Sequence, residues 1–271
     1  MKIYPEFAAR IRAGHPVALA TLVEGPATGA KLLLSPGRPV IGSLGDAELD
    51  RVVARDAEGE LAIGSTRVRR YGRHGEARRD DVSVFIESFV PPARMIIFGA
   101  VDFAAALTQV AKVLGYRVTL CDAREMFATP ARFPYADEVL VDWPHRLLAT
   151  IGPELTVRDA VCVLTHEAKF DVPAIVAALG TKVGYLGAMG SRRTHRERVQ
   201  RLRAAGVDDA GLARLRAPIG LDLGALTPEE TAVSICAEII AVRTGSVRLR
   251  PLSTTDGPIH HRIPLGPADL S

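Results

Sequence analysis

Arg94-Met95-Ile96-Ile97-Phe98-Gly99-Ala100-Val101-Asp102-Phe103-Ala104-Ala105-Ala106-Leu107 reads as a buried strand that passes through a glycine turn into a helix. Before Gly99 the residues are almost all apolar, as in a strand covered on both faces. After it, Phe103, Leu107, Val110, Ala111 and Leu114 share one helical face, and Gly115 ends the helix. Strand, glycine turn and helix in this order open a doubly wound nucleotide-binding domain. The turn departs from the dinucleotide fingerprint G-x-G-x-x-G/A, whose second glycine lets the backbone approach a pyrophosphate. Gly99 and Ala104 fit its first and last places, but Val101 fills the middle one. The stretch therefore predicts the fold and counts against that fold's usual ligand.

Downstream, apolar runs keep alternating with helical patterns. Tyr116 to Asp122 reads as the second strand, and Asp122 lies 23 positions after Gly99. That is close to the roughly 20-residue offset at which a Rossmann acid meets a ribose hydroxyl; the same residue reads equally as a solvated strand-end carboxylate. Ala136 to Asp142 supplies a third strand, and Asp159 to His166 a fourth, whose carboxyl end presents Thr165 and His166. Open α/β sheets bind ligands along that edge. His166, with Glu167 and Asp171 beside it, is a candidate for proton chemistry or ligand contact, against the plainer role of a structural hydrogen-bonder. Asp171 is expected to cap a helix over Val172 to Leu179.

A fifth strand, Lys182 to Gly187, leads into Ala188-Met189-Gly190-Ser191-Arg192-Arg193-Thr194-His195-Arg196. Here a glycine turn feeds a helix whose first turn carries a hydroxyl, two arginines and open backbone donors. Dipole and N–H groups favour an anion there, and arginine clasps phosphate at two points. Gly190, Ser191, Arg192 and Arg193 form the strongest phosphate-site candidate; the bland alternative is a helix merely coated with arginine, burying Val199 and Leu202. A rigid turn then places Asp222 between Gly220 and Gly224. Thr227-Pro228-Glu229-Glu230 starts a last helix expected to bury Val233, Ile235, Cys236, Ile239 and Ile240.

Upstream, Val17 to Val23, then Lys31 to Leu34 and Val40-Ile41 around a Pro-Gly turn, read as strands. Asp46 to Arg55 has helical spacing, with Ser43 or Asp46 as cap, and Asp81 to Phe89 alternates as a strand. Between them, Arg67 to Gly75 reads as a basic loop, either an anion or partner surface or a solvated edge. Pro91-Pro92 makes a stiff connector. The expected organisation is a small α+β domain over 1–90, a Rossmann-like parallel-sheet domain with helices on both faces over 93–245, and a Pro/Gly-rich tail over 246–271.

Composition narrows the function classes. With 48% hydrophobic and 24% charged residues, and no apolar run near the roughly 20 residues of a membrane span, membrane insertion is not expected. The first residues lack a signal-peptide core, so a cytoplasmic protein is expected. Cys121, Cys162 and Cys236 stand singly in apolar segments, which gives neither a disulfide framework nor a metal site. A net charge of +3 without a clustered basic face or stacking aromatics gives no case for nucleic acid.

The ordered set Val163-Leu164-Thr165-His166, Gly190-Ser191-Arg192-Arg193, Ala217-Pro218-Ile219-Gly220-Leu221-Asp222-Leu223-Gly224, Thr227-Pro228-Glu229-Glu230 and Gly257-Pro258-Ile259-His260 resembles the XdhC/CoxI family over about Arg94 to His260. Those proteins are accessory factors of xanthine dehydrogenase and related molybdenum hydroxylases. The resemblance implies a carrier without turnover of its own, which binds molybdenum cofactor (molybdopterin) and passes it to the apo-enzyme; for a carrier with two small domains a homodimer is expected. It implies that Ser191, Arg192 and Arg193 grip the phosphate beside Gly190, that Asp122, His166 and Asp222 hydrogen-bond the pterin, and that Gly99 forms the first turn. Two departures matter: Gly99-Ala100-Val101-Asp102 stands for the family's G-A-G-H, and Gly42-Ser43-Leu44-Gly45-Asp46-Ala47-Glu48 lacks the cysteine of its G-S-x-S-G-G-C-V-E stretch. They keep two alternatives open: an NAD(P)-dependent oxidoreductase with His166 as acid or base, and a degenerate interaction or regulatory module.

Overall fold

The computed structural model describes residues 3–77, 79–165, 167–245 and 249–255. The chain divides into two compact units, Met1–Pro91 and Pro92–Ser271.

The first unit contains α1 (Ile3–Arg12), β1 (Val17–Glu24), β2 (Lys31–Leu34), β3 (Ile41–Ser43), α2 (Ala47–Ile63), β4 (Arg67–Tyr71) and β5 (Val82–Phe89). Its strands form one sheet in the order β3-β2-β1-β5-β4, and every neighbouring pair is antiparallel. Alternation along the strands separates the faces: Ala18, Ala20, Leu22, Leu32 and Leu34 pack with Leu49, Val53, Ala57 and Leu61 of α2, while Val17, Leu19 and Leu33 meet Ile3 and Phe7 of α1. Two sequence readings change here. α2 is one helix of 17 residues rather than a helix ending near Arg55, because nothing breaks it before Gly64, which closes it at φ 69° and ψ 35°. Asp46 is its cap, accepting from Glu48 N and Leu49 N. The expected basic loop begins as the edge strand β4, whose Arg67 and Arg69 pair with fully buried Glu60 at 2.9 Å and 2.7 Å. Arginines that look solvated in sequence thus neutralise a carboxylate inside the unit.

The second unit contains β6 (Arg94–Phe98), α3 (Asp102–Val113), β7 (Arg117–Asp122), β8 (Glu138–Val141), α4 (Pro144–Ile151), β9 (Ala160–Val163), α5 (Ala168–Leu179), β10 (Tyr185–Ala188), α6 (Arg192–Ala204), α7 (Asp209–Arg214), β11 (Leu215–Arg216) and α8 (Pro228–Thr244). Six parallel strands stand in the order β11-β10-β9-β6-β7-β8, the dinucleotide-fold order, with its reversal between β6 and β9. Met95 and Ile97 face α3 and α8, and Ile96 and Phe98 face α4 and α5. All four are fully buried, each contributing about 1.5–3 kcal/mol. The expected Rossmann-like sheet with helices on both faces is what forms.

Local chemistry sets the helix ends. α8 begins with a capping box between Thr227 and Glu230 and with Pro228 in its first turn. The expected burial along α8 holds for Ile235, Cys236 and Ile239, but Val233 is 51% and Ile240 39% exposed, since they lie on the side turned from α3. α5 starts at Ala168 with Glu167 as cap, so Asp171 lies inside the first turn and does not cap. Among the described residues no helix is long and apolar enough to cross a membrane.

Candidate functional site

The sheet's reversal puts two strand ends side by side: β6, running into Gly99, and β9, running into Leu164 and Thr165. Gly99 has φ +111°, and a Cβ there would stand 2.8 Å from Thr165 Cγ2 and 2.9 Å from its backbone N. This glycine is needed for close packing of two chain segments, which leaves little space for a ligand at the same point.

Two donors of this first turn are already used. Gly99 N donates to Cys121 O at 3.0 Å, and Ala100 N donates to Asp122 Oδ2 at 2.8 Å. Asp122 is 3% exposed and also accepts from Arg124 N, Nε and Nη2 at 2.9, 2.9 and 2.8 Å. Burial pushes its pKa up, but the Arg124 and Ala100 hydrogen bonds outweigh that and hold it below the ordinary carboxylate value. Arg124 Nη1 continues to Glu167 at 3.0 Å, and its guanidinium stacks 4.6 Å from the Phe127 ring centroid. Asp102, whose side chain is 91% exposed, adds a second carboxylate at the start of α3. A phosphate brought to this turn would meet two occupied N–H groups and two carboxylates that are already paired, Asp122 with Arg124 and Asp102 with Arg132 at 3.7 Å.

The second glycine turn, from β10 into α6, is arranged oppositely. Gly190 takes φ +140°. Ser191 is the cap of α6, its Oγ accepting from Thr194 N at 3.1 Å and lying 3.0 Å from Thr194 Oγ1. The first turn of α6 holds no acid, and the helix carries six arginines against the single Glu197. Arg192 and Arg193 are exposed, and Arg193 Nε donates to Glu197 at 3.2 Å.

Beneath this turn lies a buried network. Thr165 Oγ1 donates to Asp171 Oδ1. Arg198, 2% exposed, donates through Nη2 to Asp171 Oδ2 at 3.0 Å and to Met189 O at 2.7 Å. Its Nη1 is buried without a hydrogen-bond partner among the described residues, as is His195 Nδ1. Burial, with the neighbouring Arg198 charge, holds the His195 pKa below the ordinary histidine value, so this ring is neutral at pH 7.

The described sequence candidates fall into two groups. Gly99 and Asp122 share the first turn, and Gly190, Ser191, Arg192 and Arg193 make the second. Asp222 lies exposed on a loop that joins the second group at the β10 end, because Ile219 N donates to Ala188 O at 3.1 Å. Gly220 N fastens the same loop to Glu238 Oε2 of α8 at 2.8 Å. His166 lies outside the described residues. Sequence reasoning missed Arg124 and Arg198. The spacing held a signal for the second, since Arg198 stands four residues before buried Leu202 and so on the same helical face. Among the described residues no cluster of His, Cys, Asp or Glu is fit to hold a metal ion.

A dinucleotide-fold domain whose first turn departs from the phosphate-binding fingerprint, and whose fifth strand runs into a helix start without acids, defines a divergent Rossmann-like α/β class. The XdhC Rossmann domain matches residues 95–239, and the XdhC and CoxI family matches residues 10–72. The chain belongs to the XdhC and CoxI family, in agreement with its motifs. It is 32% identical over 161 residues to a probable xanthine dehydrogenase component of Bacillus subtilis, covering 59% of this chain and 46% of that protein. It is 30% identical over 159 residues to the molybdenum cofactor insertion chaperone PaoD of Escherichia coli, covering 59% and 43%. This chain spans about half the length of the curated relatives it matches, or somewhat less. A crystal structure described as a xanthine dehydrogenase from Bacillus halodurans has the same fold, with a TM-score of 0.51 at 20% identity over 89% of this chain and 96% of that one.

Proposed function

We propose that this protein is an accessory factor that binds molybdenum cofactor and delivers it to a xanthine dehydrogenase or a related molybdenum hydroxylase, without turnover of its own. The observation that carries the reading is the contrast between the two glycine turns. At Gly99 the first two N–H groups are taken, one of them by the Asp122 carboxylate, and Val101 fills the place of the fingerprint's bare glycine. At Gly190 a helix start with the Ser191 and Thr194 hydroxyls, arginines and no first-turn acid suits an anion. Molybdopterin brings one phosphate and a flat polar ring system, so a single anion site suits it better than the paired phosphates of NAD(P). Family membership and the names of the Bacillus and Escherichia relatives support the same reading.

On this reading Gly190, Ser191, Arg192 and Arg193 hold the phosphate. Asp222, exposed on the loop tied to the β10 end, and His166 hydrogen-bond the pterin. Gly99 and Asp122 shape the floor; because four N–H groups occupy the Asp122 carboxylate, Arg124 is the group at that position able to offer a donor to the ring. The recipient is an apo molybdenum hydroxylase, and the carrier acts as a homodimer in the cytoplasm. The test is pterin and molybdenum analysis of the protein isolated from cells that make the cofactor. Retained pterin is expected; a protein that retains none, and takes up none when molybdopterin is supplied, overturns the proposal.

A further inference from the structure

We infer that buried Arg198 joins the exposed Arg192 and Arg193 at the Gly190 turn as the directional contact that reads the anion, and that the group it selects is a terminal phosphate monoester. The inference rests on the reading of that turn as the cargo's phosphate site.

Helical side chains lean toward the helix start, which carries the Arg198 guanidinium back up α6 to the turn. There Nη2 lies 2.7 Å from Met189 O and 3.5 Å from the place a Gly190 Cβ would occupy. Asp171 balances the charge at 3.0 Å, and the pair is almost fully withdrawn from water. Yet the guanidinium is a fork with five N–H donors, and Nη1 meets no acceptor among the described residues. An unpaired donor on a buried charge is costly, and an arriving oxyanion removes that cost. Its engagement requires the turn to yield, which a residue without a side chain permits at least steric expense.

The exposed arginines differ in kind. Arg193 is bonded to Glu197, its side chain 83% exposed, so it and Arg192 act as screened, long-range attraction. A phosphate monoester has three terminal oxygens, enough for the helix-start N–H groups, a hydroxyl of Ser191 or Thr194, and Nη1 together. A carboxylate has two. The network behind Arg198 also gives the site a fixed frame, because Thr165, Asp171 and Met189 come from the ends of two adjacent strands and the start of α5.

The experiment titrates inorganic phosphate, adenosine monophosphate, molybdopterin and, as the carboxylate control, acetate into the full chain by calorimetry. Arg198→Lys keeps a cation for Asp171 but has no second nitrogen to offer; it is expected to bind phosphate about tenfold more weakly or worse. Arg192→Ala with Arg193→Ala is expected to lose only a few-fold, an effect that added salt erases. Should Arg198→Lys fail to fold, Asp171→Asn with Arg198→Gln removes both buried charges together and gives the same readout. Phosphate binding unaffected at Arg198, no phosphate binding by the native chain, or equal binding of acetate overturns the inference. If the native chain holds no pterin while phosphate or adenosine monophosphate binding depends on Arg198, the inference stands and the carrier reading falls. If pterin is retained equally with and without Arg198, the inference falls and the carrier reading stands.

Discussion

Gly99→Ala tests whether the first turn is a packing joint. The added Cβ meets Thr165 Cγ2 at 2.8 Å, Thr165 N at 2.9 Å and the Leu164 carbonyl carbon at 3.2 Å. Two of these atoms are backbone that continues β9, so relief requires the central sheet to shift. Overpacking of this kind costs about 1–3 kcal/mol, and an L-residue forced to φ +111° costs a further 1–3 kcal/mol or so. The expected loss is about 2–6 kcal/mol, a large part of an ordinary domain stability of roughly 5–15 kcal/mol. The chain's single tryptophan, Trp143, lies in the second unit against Phe170 at a ring separation of 5.1 Å, so its fluorescence follows that unit through urea unfolding. Gly115→Ala is the matched control: φ is +80° there, with nothing within 4 Å of the new Cβ. If Gly99→Ala costs no more than Gly115→Ala, the close approach to β9 is not what demands the glycine.

NAD(P)H is expected to show no micromolar binding by calorimetry, since Asp122 holds the Ala100 N–H; measurable micromolar affinity would revive the dehydrogenase reading. His74 is expected to titrate above 6.5, because its hydrogen bond with Asp46 at 2.7 Å raises its pKa. The stabilising contact between residues 72–76 and the start of α2 is then fully present below the ordinary histidine value and is lost as pH rises through the raised one. An NMR titration checks this, and Asp46→Asn must bring the His74 value back down. Burial pushes the Cys121 thiol up to about 12 and Cys236 up to about 11, and raises Cys162 as well. All three are expected to resist thiol reagents at neutral pH until the protein is unfolded; rapid labelling of the native chain refutes that burial. Thr227→Ala, which breaks the α8 capping box, is expected to cost about 1 kcal/mol in the same fluorescence assay.

The parallel sheet was legible because buried strands advertise themselves. Met95 to Phe98 and Val161 to Leu164 are apolar on both faces, and the glycines at 99, 115 and 190 mark where chain direction changes. The α8 start was legible from Thr227, Pro228 and Glu230 for a similar reason, a local hydrogen-bond pattern written in consecutive residues. What stayed hidden depends on partners distant in sequence. Arg67 and Arg69 read as solvated until Glu60 is placed beside them. Asp171 reads as a cap until Arg198, 27 residues later, arrives at its carboxylate. Asp122 sits at the offset of a ribose-binding acid, and only the fold reveals that Arg124 and Ala100 occupy it.

The Asp122 arrangement also constrains how this domain can change. Val101→Gly alone would restore a bare turn, yet the Ala100 N–H would still belong to an internal carboxylate. Removing Asp122 alone would free that N–H but strand Arg124, whose remaining carboxylate partner is half-exposed Glu167, and leave Val101 in the pyrophosphate's path. Dinucleotide binding at this turn would need both changes at once. The carboxylate that holds the Ala100 N–H thus acts as an internal stand-in for a ligand, closing the first turn from within.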